Sequence, residues 1–185
     1  MYHYLREAWK KPDVKTLRER MIAWRKSPAI VKVDKPLRLD RARSLGYKDK
    51  KGFVTVRIRI KRGGRKRPSR KKGRRSKRQT IHKTLKMNYK WVAESRCQKK
   101  YPNLEVLNSY KLGKDGLNYF YEVILVDPSK PEIKNDRQLN WITSKNKKRA
   151  LRGLTSAAKK SRGLRKKSRE MKVRPSIRSK KRRGK

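Results

Sequence analysis

The chain has 185 residues, room for one ordinary domain, and carries 61 Lys and Arg against 14 Asp and Glu, a formal net charge of +47. Only 33% of it is hydrophobic, against roughly 45–50% in a typical globular domain, so its core is small and its natural counter-charge is a polyanion. No apolar run approaches the ~20 residues of a spanning helix, one cysteine excludes an intrachain disulfide, and Cys97 with two distant histidines, His3 and His82, cannot supply a four-ligand Cys/His zinc site.

The first stretch, "MYHYLREAWKKPD", lacks the apolar segment of a secretory signal, so export is not expected and a reducing compartment fits. In "DVKTLRERMIAWRKSP", Val14, Leu17, Met21 and Trp24 recur at helical spacing, with Asp13 placed as an N-cap and Pro28 as a stop. "AIVKV" (29–33) reads as a short strand. "DRARSLGYKDKKG" reads as a helical turn ending near Gly46, then a polar loop. From Phe53 the period becomes two: Val54, Val56, Ile58 and Ile60 face a core, while Thr55, Arg57, Arg59 and Lys61 face the other way.

That strand ends at Gly63-Gly64, for which an ordinary turn and a cradle for phosphate oxygens are both open readings. Fourteen of the twenty-two residues from Arg57 to Arg78 are Lys or Arg. Such a run cannot bury enough apolar surface to offset its conformational entropy, so it is expected to order only against RNA. Leu85, Tyr89, Val92, Ala93 and Cys97 then predict an amphipathic helix that Pro102 terminates. Cys97, on its apolar face, reads as a buried small hydrophobe.

"LEVLNSYKLGKDGLNYFYEVILVDP" predicts a hairpin turning near Asp115-Gly116. Its second strand has Tyr119, Tyr121, Val123 and Leu125 on one face, and Phe120, Ile124 and Val126 with Glu122 on the other. A strand apolar on both faces is expected in the middle of its sheet. Between Leu104 and Asp127 there are four acids and two bases, whereas Lys145–Lys185 has twenty Lys/Arg and one acid, Glu170. The C-terminal stretch is therefore read as a second basic arm. The divisions are an N-terminal helical segment at 1–28, the first part of an α+β domain at 29–61, and a basic extension at 62–84. A helix and hairpin follow at 85–128, then a linker and basic arm at 129–185.

Arg grips phosphate bidentately and stacks on bases, while Lys supplies a point charge. Their mixture suits a nucleic-acid backbone better than a lipid surface, which calls for an amphipathic face with aromatic anchors. Trp9 and Trp24 read as core. For Tyr47 and Trp141, in polar loops, stacking on a base and packing within the protein are both open. Catalysis is not expected: the acids are few and scattered, and there is no P-loop or Ser/His/Asp arrangement.

"DRARSLGYKDKKGFVTVRIRIKRGGRKRP" (40–68), "VLNSYKLGKDGLNYFYEVILVDP" (106–128), "WIT" (141–143) and "RGLTSAAKKSRGL" (152–164) together resemble the fifteen-e family of large-subunit ribosomal proteins of archaea and eukaryotes. The N-terminal "YLREAWKK" is similar too, and the segments after Ser69 and Arg165 look closer to a compact archaeal version. The resemblance implies a structural constituent of the large subunit, in the cytoplasm, contacting large-subunit rRNA and neighbouring ribosomal proteins. No membrane or small-molecule substrate is implied, and no cofactor beyond Mg2+ associated with the rRNA. It implies an α+β fold with a four-stranded antiparallel sheet and helices on both faces. It also implies RNA contact by Arg57, Arg59, Arg62, Arg65, Lys66 and Arg67, and by Arg152, Lys159, Lys160, Arg162 and Arg165. Composition alone leaves a free-standing chromatin-type binding protein as the alternative.

Overall fold

A computed structural model describes residues 2–66, 82–83, 85, 87–144 and 147–165. In chain order the elements are α1 (Tyr2–Lys10), α2 (Val14–Lys26), β1 (Ile30–Val33), α3 (Leu39–Ser44), β2 (Phe53–Lys61), β3 (Arg65–Lys66) and β4 (His82–Lys83). They continue with α4 (Tyr89–Lys100), β5 (Glu105–Lys114), β6 (Asn118–Val126), α5 (Pro131–Lys134), a 3-10 turn (Asn140–Ile142) and α6 (Ser156–Ser161). The main sheet runs β1-β2-β6-β5 and every neighbouring pair is antiparallel. This is the α+β architecture expected, and β6 lies in its interior.

The alternation of β6 supplies two cores. On one face Phe120, Ile124 and Val126 pack with Trp24 of α2, Tyr47, Tyr110 and Leu112, closed over by Ile133, Leu139 and Ile142. On the other, Tyr121, Val123 and Leu125 join Val56, Ile58 and Ile60 of β2 beneath Ala93 and Cys97 of α4. Burial pushes the Cys97 thiol up to about 12, as suits an inert core residue.

Local chemistry fixes the helix ends. Asp13 accepts the N–H groups of Lys15 and Thr16 and starts α2. Helix α4 begins at Tyr89, later than the apolar spacing from Leu85 suggests. Asn88, in an extended conformation, takes the cap and accepts the Trp91 N–H at 2.8 Å, leaving Leu85 exposed.

The polar face of β2 is partly covered, with only Lys61 at its end exposed. Helix α2 lies over it, so Arg57 is half-buried with its guanidinium 5.2 Å from the Trp24 ring centroid and Glu122 opposite it on β6. Burial lowers the Arg57 pKa and the Glu122 charge opposes that. Strand alternation shows which side chains share a face; it does not show what covers that face.

Candidate nucleic-acid interface

The first basic stretch leaves β2 through a built anchor. The Arg62 N–H donates to the Leu117 carbonyl at 2.7 Å, and its Nη1 donates to the carbonyls of Asp115 (2.7 Å) and Gly116 (3.1 Å). Gly63, at φ +96, donates its N–H to the Tyr89 hydroxyl at 2.9 Å, and that hydroxyl donates back to the Gly63 carbonyl at 3.3 Å. The Gly63 amide is therefore engaged within the protein, which favours the turn over the phosphate cradle. Beyond it, Arg65 pairs with Lys83 and Lys66 with His82, so the base of the extension is a two-stranded antiparallel ribbon. Residues 67–81, Arg67 among them, lie outside the described residues.

Of the second basic stretch, expected as an arm, residues 166–185 lie outside the described residues. Its described part, 147–165, is packed on the domain, and buried acids of the near-neutral hairpin and of α4 hold it there. Glu105 accepts the N–H groups of Lys148 (2.7 Å) and Arg149 (3.3 Å). Arg149 Nη1 donates to the carbonyls of Val106 (2.7 Å) and Leu107 (2.8 Å). Glu94 accepts hydrogen bonds from the hydroxyls of Ser109 and Thr155, and Trp91 Nε1 donates to the Ala150 carbonyl at 2.7 Å. Thr155 in turn caps α6, whose Ala157 and Ala158 are buried. Small side chains let the segment lie close, so few apolar atoms suffice to order it.

Helix α4 joins the two stretches at its N-terminus. Tyr89 holds Gly63, and the preceding Asn88 donates its N–H to Ser161 Oγ (3.1 Å) and its Nδ2 to the Ala157 carbonyl (2.9 Å). No acid occupies the first turn of α4, where the dipole is positive. Lys90 sits in that turn; burial lowers its pKa, Glu94 opposes this, and the charges of Arg41, Arg165 and Lys160 lower it further. Cations of α3, α4 and α6 thus act on one another here, with the buried Glu94 carboxylate opposing them at Lys90.

The sequence-derived residues fall into distinct settings. Arg62, Lys159, Lys160, Arg152 and Arg165 are exposed, the two lysines in the last turn of α6. Arg162 is half-buried and donates to the Gly153 carbonyl at 3.0 Å; Gly153 has φ +72, and a Cβ there would lie 3.1 Å from the Arg162 side chain. Arg59 is half-buried and donates to the Arg25 carbonyl, and Arg57 lies under α2 as described. Arg65 and Lys66 are placed by their strand. Tyr47 is core, edge-on to Phe53 at 5.5 Å, which removes it as a stacking candidate. Trp141 remains 39% exposed, with the Arg149 guanidinium 4.9 Å from its ring centroid.

Sequence reasoning missed Lys90 and Arg41. Each lies outside the dense cation runs, and only folding brings the Arg41 charge within reach of Lys90. Among the described residues no helix is long and apolar enough to cross a membrane. The model of a protein family described as Ribosomal L15 matches residues 1–180 of the chain.

Proposed function

We propose that this protein, which belongs to the Ribosomal L15 family, grips large-subunit rRNA with two basic stretches that leave one end of a small α+β body. Membership makes it a structural, RNA-binding constituent of the large ribosomal subunit, working in translation, in a family of a non-enzymatic kind. The body fixes position, and the cationic stretches lie between rRNA helices, neutralising phosphates so that the helices approach one another.

The observation that carries this reading is the junction at α4. Asn88 and Tyr89, adjacent in sequence, hold the root of one basic stretch and the helix of the other. Charge that would otherwise be spread along the chain is thereby aimed from a common origin. Arg62, Arg65, Lys66, Arg67, Arg152, Lys159, Lys160, Arg162 and Arg165 are the proposed phosphate contacts. Arg57 and Arg59 are proposed to act at the edge of the same surface, with their guanidinium groups steadied by α2.

The test is replacement of 67–81 by a two-residue Asn-Gly turn, which spares the Arg62–Gly63 anchor and lets the β3–β4 ribbon close as a hairpin. The shortened protein should keep its fold by circular dichroism and should fail to cosediment with large subunits through a high-salt wash that the intact protein survives. Normal retention of the shortened protein would overturn the clamp. An intact protein that strips from subunits yet compacts DNA would favour the chromatin-type alternative.

A further inference from the structure

We infer that Arg62, at the root of the first basic stretch, and Lys111, outside both stretches, are set around the ring of Tyr119 as a single phosphodiester site. The inference rests on the rRNA-binding reading above and adds to it a residue of the near-neutral hairpin. The Arg62 guanidinium lies 5.2 Å and the Lys111 Nζ 5.1 Å from the Tyr119 ring centroid. The two charges are therefore no farther apart than about one Debye length, ~10 Å at 0.1 M salt. Neither is in an ion pair with a carboxylate among the described residues.

The geometry suits a phosphate. Arg62 Nη1 is occupied by the Asp115 and Gly116 carbonyls, which fixes the plane of the guanidinium. Its Nε–Nη2 edge, which matches two phosphate oxygens bidentately, is not used in those bonds. Lys111 is exposed on β5, and its backbone is fixed between Tyr110 and Leu112, whose side chains are buried in the core of the opposite face. Tyr119 packs against Tyr89, their ring centroids 4.8 Å apart and their planes tilted by 40°, and Tyr89 holds Gly63, so the pedestal is continuous with the root of the basic extension. A phosphate bound between the two cations would relieve their mutual repulsion and draw the RNA backbone toward the path the extension takes.

Lysine acetylation footprinting with mass spectrometry reads this site directly, using the full chain with and without a large-subunit rRNA transcript. Lys111 should lose most of its reactivity on binding, together with Lys159 and Lys160. In Arg62→Gln, Lys111 should regain reactivity while Lys159 and Lys160 stay protected. Lys111 remaining reactive in a complex that protects Lys159 and Lys160 would overturn the site and leave the rRNA reading standing. Protection of none of the three would overturn both. As a second measurement, Lys111→Gln should lower the salt slope of log K by about 0.7–0.9, and the Arg62→Gln, Lys111→Gln double variant by the same single contact. A double variant that lowers it twice as far would show two separate contacts and refute the shared phosphate.

Discussion

Glu105 accepts the backbone N–H of Lys148 at 2.7 Å, across 43 positions of sequence. Lys148 adopts φ 53 to present that amide, a left-handed conformation that is uncommon outside glycine. In a chain of net charge +47, a buried acid thus helps to set where a basic segment joins the fold. Replacing Glu105 by Ala leaves two backbone donors without their acceptor and should cost ~1–3 kcal/mol of stability. Urea denaturation measures the loss, and hydrogen exchange should show the largest increase at Lys148 and Arg149. Uniform exchange across the domain would mean that the contact is not what docks the segment.

The pH dependence follows from Glu94. Burial raises its pKa above the ordinary 4.5, and the Ser109 and Thr155 hydroxyls only partly oppose this. A carboxyl with a raised folded pKa disfavours the fold while ionised. Its contribution therefore improves as pH falls through the folded value and levels off near the ordinary one. Glu122 has the same sign, also through burial. Asp136, lowered by hydrogen bonds from Lys48 and Lys50, has the opposite sign, and its contribution is lost only as pH falls below 3.8. Stability by urea titration should rise in the parent protein as pH falls toward the ordinary carboxyl value of 4.5. Glu94→Gln, whose amide can still meet two hydroxyls, should flatten that rise. Identical pH slopes in the two proteins would show that Glu94 is not the titrating group.

Much of the fold was legible because it follows from short-range pattern. The two apolar faces of β6 required a neighbour on each side of the sheet, and Asp13 and Gly46 marked helix ends that the structure keeps. What was hidden depends on residues distant in sequence. The spacing of Leu85 fits a helix, yet the Asn88 cap overrides it. The segment 147–165 looked like an arm because its own composition is basic, while the acids that dock it, Glu94 and Glu105, lie 61 and 43 positions upstream of their partners. Density of charge singles out Arg62 and Lys160 as candidates. It could not find Lys90 or Lys111, isolated cations that become part of a field only after folding.

Tyr89→Phe isolates the anchor of the extension. The change removes one hydroxyl that both accepts from and donates to Gly63, and should cost about 0.5–1.5 kcal/mol of stability. Loss of a preorganised exit should also weaken rRNA binding, on the order of two- to tenfold, since ordering the root must then be done on binding. Filter binding at fixed salt checks this. An unchanged affinity would show that the bond serves the fold alone.

The protein's hold on RNA is attributed above all to release of counterions from phosphates by two basic stretches sharing one origin. The most direct measurement is therefore log K for a large-subunit rRNA transcript against log salt, for the intact chain and for the chain lacking 67–81. With about ten phosphates neutralised the intact slope should be near −9, a loss on the order of 10⁵-fold between 50 and 200 mM salt, and the deletion should make it distinctly shallower. A shallow slope for the intact chain, or the same steep slope for both, would contradict the account.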